Sequence, residues 1–179
     1  ELLIGSPAAA GLRPELEAIL LDEEAPVGPR LDALSCLLDD GAYEPVEVLG
    51  RLIGARTADS LRLASEIFMK TREGAPYDLL CGALEAAVDL YPTSRAADRS
   101  RVIGERYFLR RLVRGLDADK TIRLLDDLSA GLSCTCGKER HNCHCRDGAS
   151  KVVGLLLDNY FEKVTSSHDP DRVWEWVRN

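Results

Sequence analysis

Apolar residues recur every three to four positions along most of the chain, and nowhere do Val, Ile or Thr alternate with polar residues long enough to form a sheet. Leu16, Ile19 and Leu20 fall on one side of a predicted helix over 15–22, with Pro14 at a first-turn position. Pro26 and Pro29 separate it from a second helix over 30–39, which Gly41 stops. Val46, Leu49, Leu52 and Ile53 define a third over 44–54. Thr57 is placed to cap a fourth, which carries Leu61, Ala64, Ile67 and Phe68 to about residue 72. A fifth covers 77–90, ahead of Pro92. The pattern then predicts helix over 93–114, with a break near Gly104, and a further helix capped by Asp117 that holds Ile122, Leu124, Leu125 and Leu128. Beyond a cysteine-rich interruption, Val152, Val153, Leu155, Leu156, Tyr160 and Phe161 mark a helix over 150–164. Asp169-Pro170 opens the last helix. Trp174 and Trp176 cannot share one of its faces, so one packs and the other is left outside.

The fold class expected is therefore all-α. Pro29-Arg-Leu-Asp-Ala-Leu-Ser-Cys36 is echoed by Pro76-Tyr-Asp-Leu-Leu-Cys81, and an offset of 46 puts Asp32 on Asp78, Leu34 on Leu80 and Leu38 on Leu84. Paired-helix repeats run about 40–47 residues. On these residues the stretch 13–131 resembles the HEAT and armadillo class of helical repeat. That resemblance implies short helix pairs stacked as an irregular α-solenoid, with an irregular helical bundle as the alternative. The expected organisation is a single helical domain over 1–179, with repeats over 13–131, a Cys-rich metal loop over 132–149 and C-terminal helices over 150–179. The first residue is Glu1 rather than Met, and Asn179 follows an apolar-rich run, so a piece of a larger parent chain is expected.

Composition narrows the function classes. The 179 residues are 45% hydrophobic and 30% charged, which excludes a largely disordered or collagen-like chain. No apolar stretch approaches the length of a membrane span, and Leu2-Leu3-Ile4-Gly5 is too short for a signal peptide. The formal charge of −7 disfavours nucleic acid as a partner and leaves a protein, including the remainder of the parent chain, as the expected one. Cys36 and Cys81 stand alone, whereas the other four of six cysteines crowd into 134–145, a distribution that suits a reducing, cytoplasmic setting and a metal site.

That cluster reads Cys134-Thr-Cys136-Gly-Lys-Glu-Arg-His141-Asn-Cys143-His144-Cys145. Two Cys-x-Cys chelates separated by six residues supply the tetrahedral thiolate set that structural zinc prefers. Cys134, Cys136, Cys143 and Cys145 are the expected Zn²⁺ ligands, with His141 or His144 as alternates for one of them. Disulfides, a redox or Cu(I) site, and no metal at all are the competing readings; a disulfide within Cys-x-Cys is strained. Over 133–158 the cluster resembles the SWIM zinc finger, whose pattern is Cys-x-Cys, a spacer, then Cys-x-His and a helix. Cys134-Thr-Cys136 matches the first pair, and Cys143-His-Cys145 departs from the second by ending in Cys. The resemblance implies contacts with nucleic acid or protein and the same four ligands.

A second candidate surface lies in 93–114, where seven arginines accompany only Asp98 and Glu105. Arg99, Arg106, Arg110 and Arg114 fall on one helical flank, and Val102, Leu109, Val113 and Leu116 fall together on another. The arginines form a candidate surface for an anionic partner, unless neighbouring acids solvate and pair them. Asp39-Asp40 and Asp126-Asp127 read as solvated pairs, and His168 reads as a local cap. No P-loop, dinucleotide fingerprint, His-Glu-x-x-His or nucleophile elbow occurs, and no catalytic residue is assigned. The run Asp169-Pro170-Asp171-Arg172-Val173-Trp174-Glu175-Trp176 and the short helices before it resemble the C-terminal sensor arms of NACHT-type signal-transduction ATPases, including defence proteins. The expected function is a non-enzymatic helical-repeat scaffold with a structural zinc. The alternatives are such a sensor arm or a SWIM-like nucleic-acid module.

Overall fold

A computed structural model describes residues 11–71, 76–90, 109–131 and 144–178. Their regular secondary structure is all helical, and no strand occurs among the described residues. The helices are α1 (Arg13–Leu21), α2 (Val27–Asp39), α3 (Val46–Gly54), α4 (Ala58–Thr71), α5 (Tyr77–Leu90), α6 (Ala118–Gly131), α7 (His144–Lys163) and α8 (Pro170–Arg178), with a shorter helical stretch at 109–114. No helix among the described residues is long and apolar enough to cross a membrane.

Side-chain caps set several of these boundaries. Thr57 Oγ1 accepts the Ser60 amide at 3.1 Å and opens α4. Asp117 Oδ1 accepts the Lys120 amide at 2.7 Å and opens α6, and that bond holds the Asp117 carboxyl below its usual range. Asp169, not His168, caps α8 by accepting the Asp171 amide at 3.1 Å. α2 starts three residues before the position expected from its apolar pattern. Pro29 lies inside its first turn, where a missing N–H is no loss. Between α3 and α4 the chain turns at Arg56, whose φ of 51° is left-handed, as at many helix ends.

Two compact units divide the chain at 79/80, in the first turn of α5. In the first, α1 packs on α2 and α3 on α4, and contacts of α2 with α4 and of α1 with α3 join the pairs. Leu20, Leu34, Leu37, Leu49, Leu52, Leu63 and Ile67 are all but inaccessible to solvent. Each such burial stabilises by about 1.5–3 kcal/mol relative to exposure. Arg30 lies among them, 2% exposed. Its Nε donates to the Leu20 carbonyl at 2.9 Å and a terminal nitrogen donates to Ser60 Oγ at 3.3 Å. The guanidinium thereby satisfies a carbonyl at the end of α1 and ties α2 to α4.

In the second unit α6 packs on α7, and α8 packs on both. Asn159, late in α7, donates to Thr121 Oγ1, early in α6, at 2.8 Å, so the two helices run antiparallel. α7 begins at His144, six residues before the expected start. The extra turns have no apolar stripe to reveal them. They are seated instead by Gly148, where a Cβ would lie 2.9 Å from the Val88 carbonyl carbon and would collide with the carbonyl oxygen. Only a glycine lets α7 approach the backbone of α5 so closely.

Candidate metal centre and the surfaces around it

α6 ends at Gly131 and α7 starts at His144. Because the two helices are antiparallel, both ends lie at the same end of the hairpin, and the connection between them carries most of the cysteine cluster. Cys134, Cys136, His141 and Cys143 lie outside the described residues. The backbones of His144 and Cys145 form the first turn of α7. Among the described residues no group of three or more His, Cys, Asp or Glu side chains is placed to hold a metal. Cys36 is buried in α2 and Cys81 half-buried in α5, both remote in sequence from the cluster.

Of the arginine flank, Arg99 and Arg106 lie outside the described residues. Arg110 and Arg114 are exposed on the 109–114 stretch, whose Leu109 and Val113 are buried as the apolar flank predicts, together with Leu112 and with Leu116 just beyond it. They do not stand alone. The two arginines line a cleft whose other wall is Asp158 and Glu162 of α7. Lys163 supports the end of this stretch, its Nζ donating to the carbonyls of Arg114, at 3.0 Å, and of Leu116.

A further cluster, spread too widely along the chain for spacing to reveal it, fastens α8. Arg172 forms a two-pronged ion pair with Asp126 of α6, and Trp176 Nε1 donates to the same carboxylate at 2.8 Å. Asp126 is therefore engaged, although its side chain stays partly exposed. Asp39 and Asp40 are engaged too, by Lys70 and Arg13 respectively. Partial burial disfavours the Asp126 carboxylate, but Arg172 and the Trp176 N–H outweigh it and hold the carboxyl below its usual range. The Trp176 ring meets Tyr160 edge-on at 5.2 Å, and His168 Nδ1 lies 3.2 Å from the Tyr160 hydroxyl. Trp176 is 3% exposed and Trp174 61%, so the first packs and the second faces outward.

Comparison with protein-family models, with curated proteins and with solved structures finds no match to this chain.

Proposed function

We propose that the chain is a non-catalytic scaffold of HEAT-like helix pairs, working in the cytoplasm. In this reading a structural Zn²⁺ staples one end of the α6–α7 hairpin and the helical surfaces engage a protein partner. The observation that supports the reading is that, of the four thiols within the twelve residues 134–145, three fall in sequence between two packed antiparallel helices and the fourth, Cys145, falls in the first turn of the second helix. Between Leu132 and Val152 that segment has almost no large apolar side chain, so burial of its own residues has little to offer in ordering it. The donor set fits zinc. Thiolates at this spacing would repel one another, and a divalent cation removes that repulsion while closing the segment into a small loop. Cys134, Cys136, Cys143 and Cys145 would hold the ion, with His141 or His144 able to replace one thiolate. Four protein ligands leave no open position for a substrate, which favours a structural role over a catalytic one. The net charge of −7, and the acids Asp158 and Glu162 facing Arg110 and Arg114, favour a protein partner over a phosphate backbone.

The test is limited proteolysis of wild type and of the double variant Cys134→Ser, Cys136→Ser, under reducing conditions. The expected outcome is selective cleavage within 132–149 in the variant, with fragments on either side persisting. Equal resistance of both proteins would contradict the reading.

A further inference from the structure

Few side chains hold α8 to the helices beneath it. Over residues 165–178, all of them among the described residues, Trp176 alone is buried and Val173 half-buried. Trp174 and Val177 lie away from the packed face and leave their apolar area in solvent. The link over 164–169 contains no helix and meets α7 through His168, whose ring lies 5.0 Å from that of Phe161. A helix of nine residues is shorter than the roughly 12–15 that sustain themselves in water, so α8 depends on its seat for its shape.

The seat has a defined chemistry. Asp126 of α6 offers both carboxylate oxygens. Arg172 donates to one through Nε at 3.2 Å and to the other through a terminal nitrogen at 2.5 Å, and Trp176 Nε1 donates at 2.8 Å. Tyr160 of α7 meets the Trp176 ring edge-on. The Arg172 guanidinium lies 5.4 Å from the centroid of that same ring, so arginine and indole reach the seat as one unit. Side chains four apart share a helix face, which is what brings both to a single carboxylate. The Arg172 and Asp126 side chains stay 46% and 42% exposed, so water weakens their ion pair and burial of one indole is the main hold. Elements fastened by so few buried contacts open while the rest of the fold stays closed.

We infer that α8 is the built-in occupant of a docking site on the α6–α7 pair. In its place the site takes a helix of a partner protein that carries an arginine and, four residues on, a tryptophan. Opening of α8 frees the Asp126 carboxylate and the Tyr160 face together, and a helix that returns a guanidinium and an indole N–H satisfies them as α8 does. Arginine and tryptophan are the anchors that helix-in-groove interfaces favour. α8 competes from the same chain, and its closure sets the affinity a partner has to exceed. The site shares no residue with the cysteine cluster, so it stands or falls independently of the zinc.

The experiment uses the full chain and a fluorescently labelled peptide with the sequence of residues 168–178, read by anisotropy. In the Trp176→Ala chain the seat loses its own anchor. The peptide should bind that chain saturably at one site, about tenfold or more tighter than wild type. Arg172→Ala, a change at an exposed position, vacates the seat less completely and should fall between the two. Circular dichroism checks that both variants stay helical. A peptide with alanine at the position of Trp176 should bind about tenfold more weakly or worse, whereas alanine at the position of Trp174 should leave binding unchanged. In wild type, the amides of α8 should exchange with solvent about tenfold or more faster than those of α6 and α7. No saturable binding to either variant chain would overturn the inference. So would wild-type binding as tight as that of the variants, equal losses from the two peptide substitutions, or exchange in α8 no faster than in α6 and α7.

Discussion

Arg30 and Asp126 each join packed helices through a charged side chain, and they act in different ways. Arg30 is buried with a carbonyl and a hydroxyl as its partners, so it works as a rigid multiple donor joining α1, α2 and α4. Arg30→Ala removes its stem from the core and leaves the Leu20 carbonyl without its donor. The expected loss is about 2–4 kcal/mol of unfolding free energy, read from urea denaturation. Asp126 works through its charge. Its carboxyl is held below the ordinary value, so it contributes stability that is present above the unfolded pKa of about 3.9 and is lost as pH falls through the lower folded value. The fluorescence of Trp176 should therefore change on acidification below about pH 4, as the anchor of α8 is released. In Asp126→Asn that acid-dependent step should be missing, and a step unchanged in the variant would place its origin elsewhere. Neither role is visible in the sequence. Asp126 and Trp176 are 50 positions apart and meet only through the packing of α8 on α6, and a run of acids such as Asp126-Asp127 looks the same whether solvated or engaged.

Where a helix begins was legible wherever a side chain announces it. Thr57 and Asp117 cap the helices their positions predict, and α5 spans the predicted 77–90 because proline punctuation lies on both sides of it. The start of α7 was not legible. Hydrophobic periodicity detects a helix through the side chains it buries, and the first turns of α7 make their close approach through Gly148, which has none. Glycine-to-alanine substitutions in this helix should separate the two effects by sign. Gly148→Ala would force a Cβ into the fixed backbone of Val88 and should destabilise by about 1–3 kcal/mol. Gly154→Ala, on the same helix with nothing within 4 Å of its Cβ position, should stabilise by about 0.5–1 kcal/mol. Thermal melts of the two variants check this. Stabilisation by both would mean that α7 does not lie against α5 as described.

At the scale of the molecule, two helical units bury most of the apolar pattern of the described residues, although Ile19, Val46 and Phe161 of the predicted apolar faces stay exposed, and the cysteine cluster lies outside that pattern. The buried cores of both units are built largely from leucine, with alanine, valine and a few aromatic side chains, all of them outside 134–145. Removing the metal should therefore leave most of the helical circular dichroism in place and loosen only the α6–α7 connection. The all-helical class was legible because most packed faces follow the helical period, the first turns of α7 being the exception. The proposed ligand set rests on spacing alone, two Cys-x-Cys pairs with His141 or His144 as alternates for one thiolate. The measurement that bears most directly on this account is the zinc content of protein purified under reducing conditions without added metal, by elemental analysis. The account predicts about one zinc per chain, held by four ligands as in other structural sites, and its loss in Cys134→Ser, Cys136→Ser. Metal-free protein, or zinc retained undiminished by that variant, would contradict it.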